Sequence, residues 1–247
     1  MLVHGGCWAH ELEGVDPAAL TLALLRPLAA ALTAAGYATW NLEYPRLGNP
    51  EGGWPGTFRA LGAGLDYVRT LARRYPLDTG RIIVDGHDSG GQLALWLAAR
   101  PKLAADSELH ARGALRPSAA VDIDGAPDLA GMQAFEMPVC DAPVLTQLLG
   151  GPPAEQQRSY RDGAASPLPL GVRQLVVVGG LLTSPGLRAE IDDYTLHARG
   201  VGDALELLEL PAAEHYAMLE PTHPAYPPLL AAIDSLSGLR RARAAPH

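Results

Sequence analysis

The chain has 247 residues, 48% of them hydrophobic, and a formal net charge of −8. That length and apolar share suit one domain over residues 1–247 with a full core, and the acidic balance argues against nucleic acid or an anionic membrane as a partner. Cys7 and Cys140, the only cysteines, make neither a disulfide framework nor a metal-binding spacing, so no metal is expected. No apolar run reaches membrane-spanning length and no leader precedes Leu2-Val3, which predicts a cytoplasmic protein.

Strands and helices alternate along the chain, the pattern of a parallel sheet covered on both faces. Leu2-Val3 is the stub of a strand ending in His4-Gly5-Gly6-Cys7-Trp8. Residues 17–35 read as a helix, with Asp16 as N-cap, Pro17 at its first position and Gly36 closing it. Residues 37–44 read as a strand, 48–56 as a Pro/Gly loop containing Trp54, and 57–75 as a helix. Further strands are expected over 81–85, 118–124, 174–178 and 205–210, with helices over 90–100 and 227–237. Between them, 129–169 is an irregular, proline-rich excursion, a small lid or substrate-facing segment.

The most informative stretch is 82–100, a β-branched strand, a tight turn and a helix. Gly86 and Gly90 flank position 88 as in a nucleophile elbow, where the central residue sits on a strained strand-to-helix turn that lifts its side chain above the sheet. The flanking glycines are needed because strand and helix close to near contact there. The central residue here is Asp88, with Ser89 after it, so the frame is that of a hydrolase whose central atom is wrong for ordinary acyl transfer.

HGGCW at 4–8, NLEYPR at 41–46, the elbow at 86–100, SPLPLG at 166–171 and ELPAAEHY at 209–216 occur in an order that resembles the esterase and kynurenine-formamidase (arylformamidase)-like branch of the α/β-hydrolase fold. The resemblance covers essentially the whole chain. It implies a three-layer α/β/α sandwich with a mostly parallel sheet, no cofactor, and a small ester or amide substrate. It also implies an oxyanion hole from the N–H groups of Gly5, Gly6, Cys7 and Ser89, and His215 as the general base. Two positions depart from the pattern: Asp88 replaces the nucleophilic serine, and Thr183 stands where the acid that orients the histidine would follow the strand 174–178. The strands that normally precede HGG do not occur before Met1, so either the sequence begins late or the sheet lacks its first edge strands. The strand running into HGG is then expected to have a bare edge, which a second copy could cover as a homodimer.

Three consequences of Asp88 remain open in the sequence. Ser89 could act through a one-residue slip, although the helix register turns it away from the hole. Asp88 could itself attack, as in the epoxide-hydrolase and haloalkane-dehalogenase type, with Asp124 at the end of strand 118–124 relocated as the acid for His215. That type usually supplies halide- or epoxide-binding Trp or Tyr pairs from a helical cap, and 129–169 offers no tryptophan and only Tyr160; Asp124 also has a plain reading as a strand-end cap. Third, hydrolysis could be weak or lost, leaving a small-molecule binding pseudoenzyme. Trp54 is the aromatic candidate for substrate contact, Cys7 reads as a buried thiol acting through its backbone, and His87 packs beneath the elbow.

Overall fold

The computed structural model describes residues 1–16, 20–164, 169–180 and 185–238. Six strands, β1 (Leu2–Val3), β2 (Asn41–Leu42), β3 (Ile83–His87), β4 (Ala119–Ile123), β5 (Arg173–Val178) and β6 (Leu205–Glu209), form one sheet in the order β2-β1-β3-β4-β5-β6. Every pairing is parallel. Because side chains alternate across a strand, each strand feeds two cores. Ala119, Val121, Ile123, Leu175 and Val177 face α1 (Arg26–Ala34) and α9 (Tyr226–Ser237). Val3, Ala120, Val176 and Val178 face α2 (Gly56–Leu71), α3 (Ser89–Ala99) and α8 (Pro185–Gly200). This is the three-layer sandwich expected.

Register decides what meets at the carboxyl edge of the sheet. Val3 pairs with Gly86, His87 with Ile123, and Ile123 with Val177. The residues that follow, His4-Gly5, Asp88, Asp124 and Gly179, therefore emerge side by side, although they lie far apart in the chain.

Several expectations are corrected. β1 is not an edge strand: β2 and β3 cover both of its sides, and the edges are β2 and β6. The strand expected over 37–44 is only Asn41–Leu42, because its sole partner β1 is itself two residues long. Of the helix expected over 17–35, the described residues 20–25 are turns and the α-helix starts at Arg26. Before it, the Leu20 carbonyl accepts from Arg46 Nη1 and the Leu22 carbonyl from Asn41 Nδ2 (2.9 Å), so those groups are tied to side chains instead of a helical ladder. The described residues of 129–169 are not irregular but carry four short helices: α4 (Leu129–Met132), α5 (Glu136–Cys140), α6 (Val144–Leu149) and α7 (Gln157–Gly163).

The glycines of the elbow are dictated by contact. A Cβ at Gly86 would lie 1.9 Å from the Gly90 carbonyl oxygen, and one at Gly90 would lie 2.1 Å from that of Val3. Neither neighbour is a side chain that can swing away. Gly86→Ala or Gly90→Ala should each lower stability by about 3 kcal/mol or more. Gly200→Ala, where a Cβ meets nothing within 4 Å, should change it by less than about 1 kcal/mol. Thermal unfolding of the three variants checks the contrast; equal midpoints would refute it.

Candidate active site

Asp88 joins β3 to α3 with φ 55° and ψ −131°, a left-handed conformation that a side chain rarely adopts. The elbow is thus present, with an aspartate at its apex. Its carboxylate does not project freely. Asp88 Oδ2 accepts hydrogen bonds from the backbone N–H of Gly6 (2.7 Å) and of Cys7 (3.1 Å). Gly5 has to lack a side chain for this, since a Cβ there would lie 2.7 Å from Oδ2. Two of the N–H groups expected to receive a substrate oxyanion therefore hold the protein's own carboxylate. Asp88 Oδ1 makes no hydrogen bond among the described residues.

Ser89 lies in the first turn of α3, 1% exposed, and its Oγ accepts the Trp8 N–H (3.2 Å). A slipped serine nucleophile is thereby disfavoured, because this hydroxyl is engaged by the loop behind it. The hole loop is itself strained: Cys7 and Trp8 are consecutive non-glycine residues at φ 50° and 55°.

His215 follows β6, and its Nδ1 bonds Asp124 Oδ2 at 2.7 Å; the other Asp124 oxygen accepts the Gly179 N–H, also at 2.7 Å. Asp124 is fully buried. The histidine's acid partner therefore comes from the end of β4. Thr183, the position expected to hold it, lies outside the described residues. Burial acts to lower the pKa of His215, but the Asp124 hydrogen bond and the charges of Asp88 and Asp124 outweigh it and leave the pKa raised.

His87 was expected only to pack beneath the elbow, and it does more. Its Nε2–H donates to the His215 carbonyl (2.8 Å), and the two rings lie 4.2 Å apart. Burial, reinforced by the charge on His215, holds the His87 pKa down to about 4. It is therefore neutral at ordinary pH and adds no positive charge beside the base. Tyr216 packs edge-on against His215 at 4.7 Å.

Cys7 is not a free thiol. It is disulfide-bonded to Cys140, 133 residues away, so the expectation of unpaired cysteines is overturned. The bridge ties the hole loop to α5 in the excursion. Met132, Val139 and Cys140 of that excursion, with Leu187 of α8, roof a cavity of about 10 Å³ beside Asp88, Ser89, Trp8 and Asp124. That volume holds one water-sized atom. Trp54 does not line it: its indole N–H donates to Glu108 (2.7 Å) and its ring packs on Phe58. A larger groove of about 770 Å³ lies at the opposite ends of β1 and β3, lined by Tyr37, Trp40, Tyr75 and Asp85, and touches none of the site residues. Among the described residues no cluster of His, Cys, Asp and Glu could hold a metal ion, and no helix is long and apolar enough to cross a membrane.

The model of one protein family, BD-FAE, matches residues 1–169. No curated protein matches the chain. Solved structures do. Esterase B from Lactobacillus rhamnosis, inhibited by a tributyrin phosphonate, superposes with a TM-score of 0.72 at 18% identity, over 96% of this chain and 75% of that one. A bacterial heroin esterase superposes at 0.69 with 22% identity, over 97% and 74%. A truncated carbohydrate esterase from gut microbiota gives 0.66 and 17%, over 96% and 85%. At these identities the structures establish the fold, that of the α/β-hydrolases.

The Asp124–His215 bond generates a prediction. A histidine with a raised folded pKa adds stability that is fully present below its unfolded pKa and is lost as pH rises through the folded one. Asp124→Asn removes the carboxylate, so the His215 pKa should fall and this stability increment below it should shrink. NMR titration of the His215 ring and denaturation at pH 5 and pH 8 measure both effects. An unchanged histidine pKa would show that the contact carries no charge coupling.

Proposed function

The chain belongs to the BD-FAE family, and we propose that within this esterase-like α/β-hydrolase scaffold Asp88, His215 and Asp124 form the working constellation, while serine-type ester hydrolysis is weak or lost. One observation carries the reading: Asp88 Oδ2 occupies the hydrogen bonds of the hole. An ester substrate would have to place its developing oxyanion where a carboxylate oxygen already sits, against like charge. The same contact suits attack by Asp88 on a saturated carbon, because Oδ2 is held and Oδ1 is left to react.

The steps follow from that geometry. Asp88 Oδ1 forms a bond to the carbon as the leaving group departs with its electron pair, giving an alkyl ester of Asp88. The ester's carbonyl oxygen is then Oδ2, already facing the Gly6 and Cys7 N–H groups. Water, deprotonated by His215 Nε2, adds to Asp88 Cγ, and the charge gathers on Oδ2 inside the hole. Collapse releases the alcohol, which takes the proton from His215, and the aspartate is restored. Asp124 fixes the histidine's tautomer and supports its imidazolium. His215 must be neutral to act, so turnover should rise with pH through its raised pKa.

A second reading rests on the small cavity of about 10 Å³ beside Asp88: a binding protein that turns nothing over. The disulfide bears on the compartment. Such bridges persist in oxidising surroundings, so we place the folded chain there, against the cytoplasmic expectation.

Two measurements test the reading. With 1-bromobutane in labelled water, mass spectrometry should find the heavy oxygen in the peptide carrying Asp88; an unlabelled peptide would remove the aspartate from the chemistry. Separately, Asp88→Ser alone should raise p-nitrophenyl acetate hydrolysis roughly a hundredfold over the parent, because it vacates the hole and the histidine pair is already in place. No companion change at Thr183 should be needed. Should the folded serine variant stay inert while the parent binds ligands without turnover, the binding reading would stand instead.

A further inference from the structure

We propose that His4, held as an imidazolium between Glu43 and the Gly5 carbonyl, is a positioning residue of the hole. It sets the direction of the Gly6 N–H and strengthens its hold on the oxygen in front of it. This rests on the reading of the Gly6 and Cys7 N–H groups as the hole of the working site. His4 is fully buried, and both of its ring nitrogens meet oxygen: Nδ1 lies 2.8 Å from the Gly5 carbonyl and Nε2 lies 2.9 Å from Glu43 Oε1. A neutral imidazole has one donor and one acceptor nitrogen, so it serves only one of two acceptors; a ring that serves both carries two protons. A carbonyl has no proton to offer instead, and the Glu43 carboxyl is kept ionised. Burial acts to raise the pKa of Glu43, but the hydrogen bond and charge of His4, the Leu22 N–H and the charge of Arg46 outweigh it and leave the pKa lowered.

The consequence runs through one peptide unit. The Gly5 carbonyl and the Gly6 N–H belong to the same trans peptide and point opposite ways. His4 therefore grips one side of the unit whose other side holds Asp88 Oδ2. Hydrogen bonds in such a chain polarise one another, and the Gly6 bond is the shorter of the two on that oxygen, 2.7 Å against 3.1 Å for Cys7. The Cys7 N–H belongs to the next unit, whose Gly6 carbonyl accepts from a neutral donor, the Ala9 N–H (2.9 Å). The charged groups set around His4 are Glu43, Arg46 at 3.3 Å beyond Glu43, and Asp88 across the peptide. Tyr44 fixes the ring from the side: it stacks on the imidazole at 4.5 Å, and its hydroxyl donates to the His4 carbonyl (2.8 Å). Glu43 and His4 cancel in charge, so the pair adds no net charge to the site and acts by orienting and polarising a dipole. In the proposed reaction that dipole matters most when water adds to Asp88 Cγ and charge gathers on Oδ2.

Glu43 is the end of this chain of bonds that reaches solvent, its side chain 43% exposed against 0% for His4. Its charge can be removed without opening the core.

The test uses the full chain and the variant Glu43→Gln. In the parent at about pH 7.5, NMR of the ring nitrogens should find both nitrogens of His4 protonated. In Glu43→Gln the ring should give up one proton, keeping Nδ1–H on Gly5 and accepting from the glutamine amide at Nε2. The Gly6 amide proton should then move upfield as its bond to Asp88 weakens, at least about twice as far as that of Cys7, whose peptide His4 does not touch. Activity is read where position 88 is a serine: added to Asp88→Ser, Glu43→Gln should lower kcat for p-nitrophenyl acetate about tenfold and change KM by less than about twofold, since a hole donor acts on the transition state. A parent His4 ring with one proton, a Gly6 amide that stays in place or moves no further than that of Cys7, or a double variant as fast as Asp88→Ser overturns the proposal. The two readings fail separately: an inert Asp88→Ser variant, or no heavy oxygen in Asp88, counts against the chemistry proposed for the site, while the ring protons and the Gly6 amide still decide the role of His4.

Discussion

The site is organised around one contact, the Asp88 carboxylate resting on the N–H groups of Gly6 and Cys7. In an acyl-transfer enzyme these donors wait for a charge that develops only in the transition state. Here a full charge sits on them in the ground state, 2.7 and 3.1 Å away. That satisfies two backbone donors, but it removes the differential on which ester hydrolysis depends. Donors that bind the resting state as tightly as the transition state lower no barrier. The contact is productive only if the bound oxygen belongs to the group that is later attacked, which is the case for an ester formed on Asp88 itself.

Holding that contact requires a loop the chain would not choose unaided. Two successive non-glycine residues in the left-handed region cost on the order of 1–3 kcal/mol each. Three constraints oppose the relaxation of Cys7 and Trp8: the carboxylate on the Cys7 N–H, the Ser89 hydroxyl on the Trp8 N–H, and the covalent bridge from Cys7 to Cys140. The bridge acts on both walls of the cavity, since Cys7 belongs to the hole and Cys140 to the roof. A disulfide closing so long a loop stabilises mainly by restricting the unfolded chain, by about 2–4 kcal/mol. That is of the same order as the strain it helps to retain.

How much of this was legible in the sequence follows the range of the interactions involved. The elbow was, because its signal is local: Gly86 and Gly90 are fixed by contacts within one strand–turn–helix unit and its neighbour β1. So was His215, which lies just beyond a recognisable strand. Asp124 could be named as a candidate but not chosen, since its meeting with His215 across 91 residues depends on the register of β3, β4 and β5. The disulfide left no local trace at all: two cysteines at such a distance carry no spacing signal, and only the folding of 129–169 over the hole brings them together. Trp8 is part of the core. What the sequence could not give was that its indole N–H has no hydrogen-bond partner among the described residues.

The same register that moves the acid also sets the charge the site can accept. Asp88, half-buried, and Asp124, buried, stand at the ends of adjacent strands, and Asp122, one residue before the end of β4, is buried beside Asp124. Burial, and then the charge of Asp124, pushes the Asp122 carboxyl well up, which keeps it neutral. His87 is likewise neutral, so His215 alone can offset two carboxylates, and its raised pKa is the response to them. A site with this balance repels an anionic substrate.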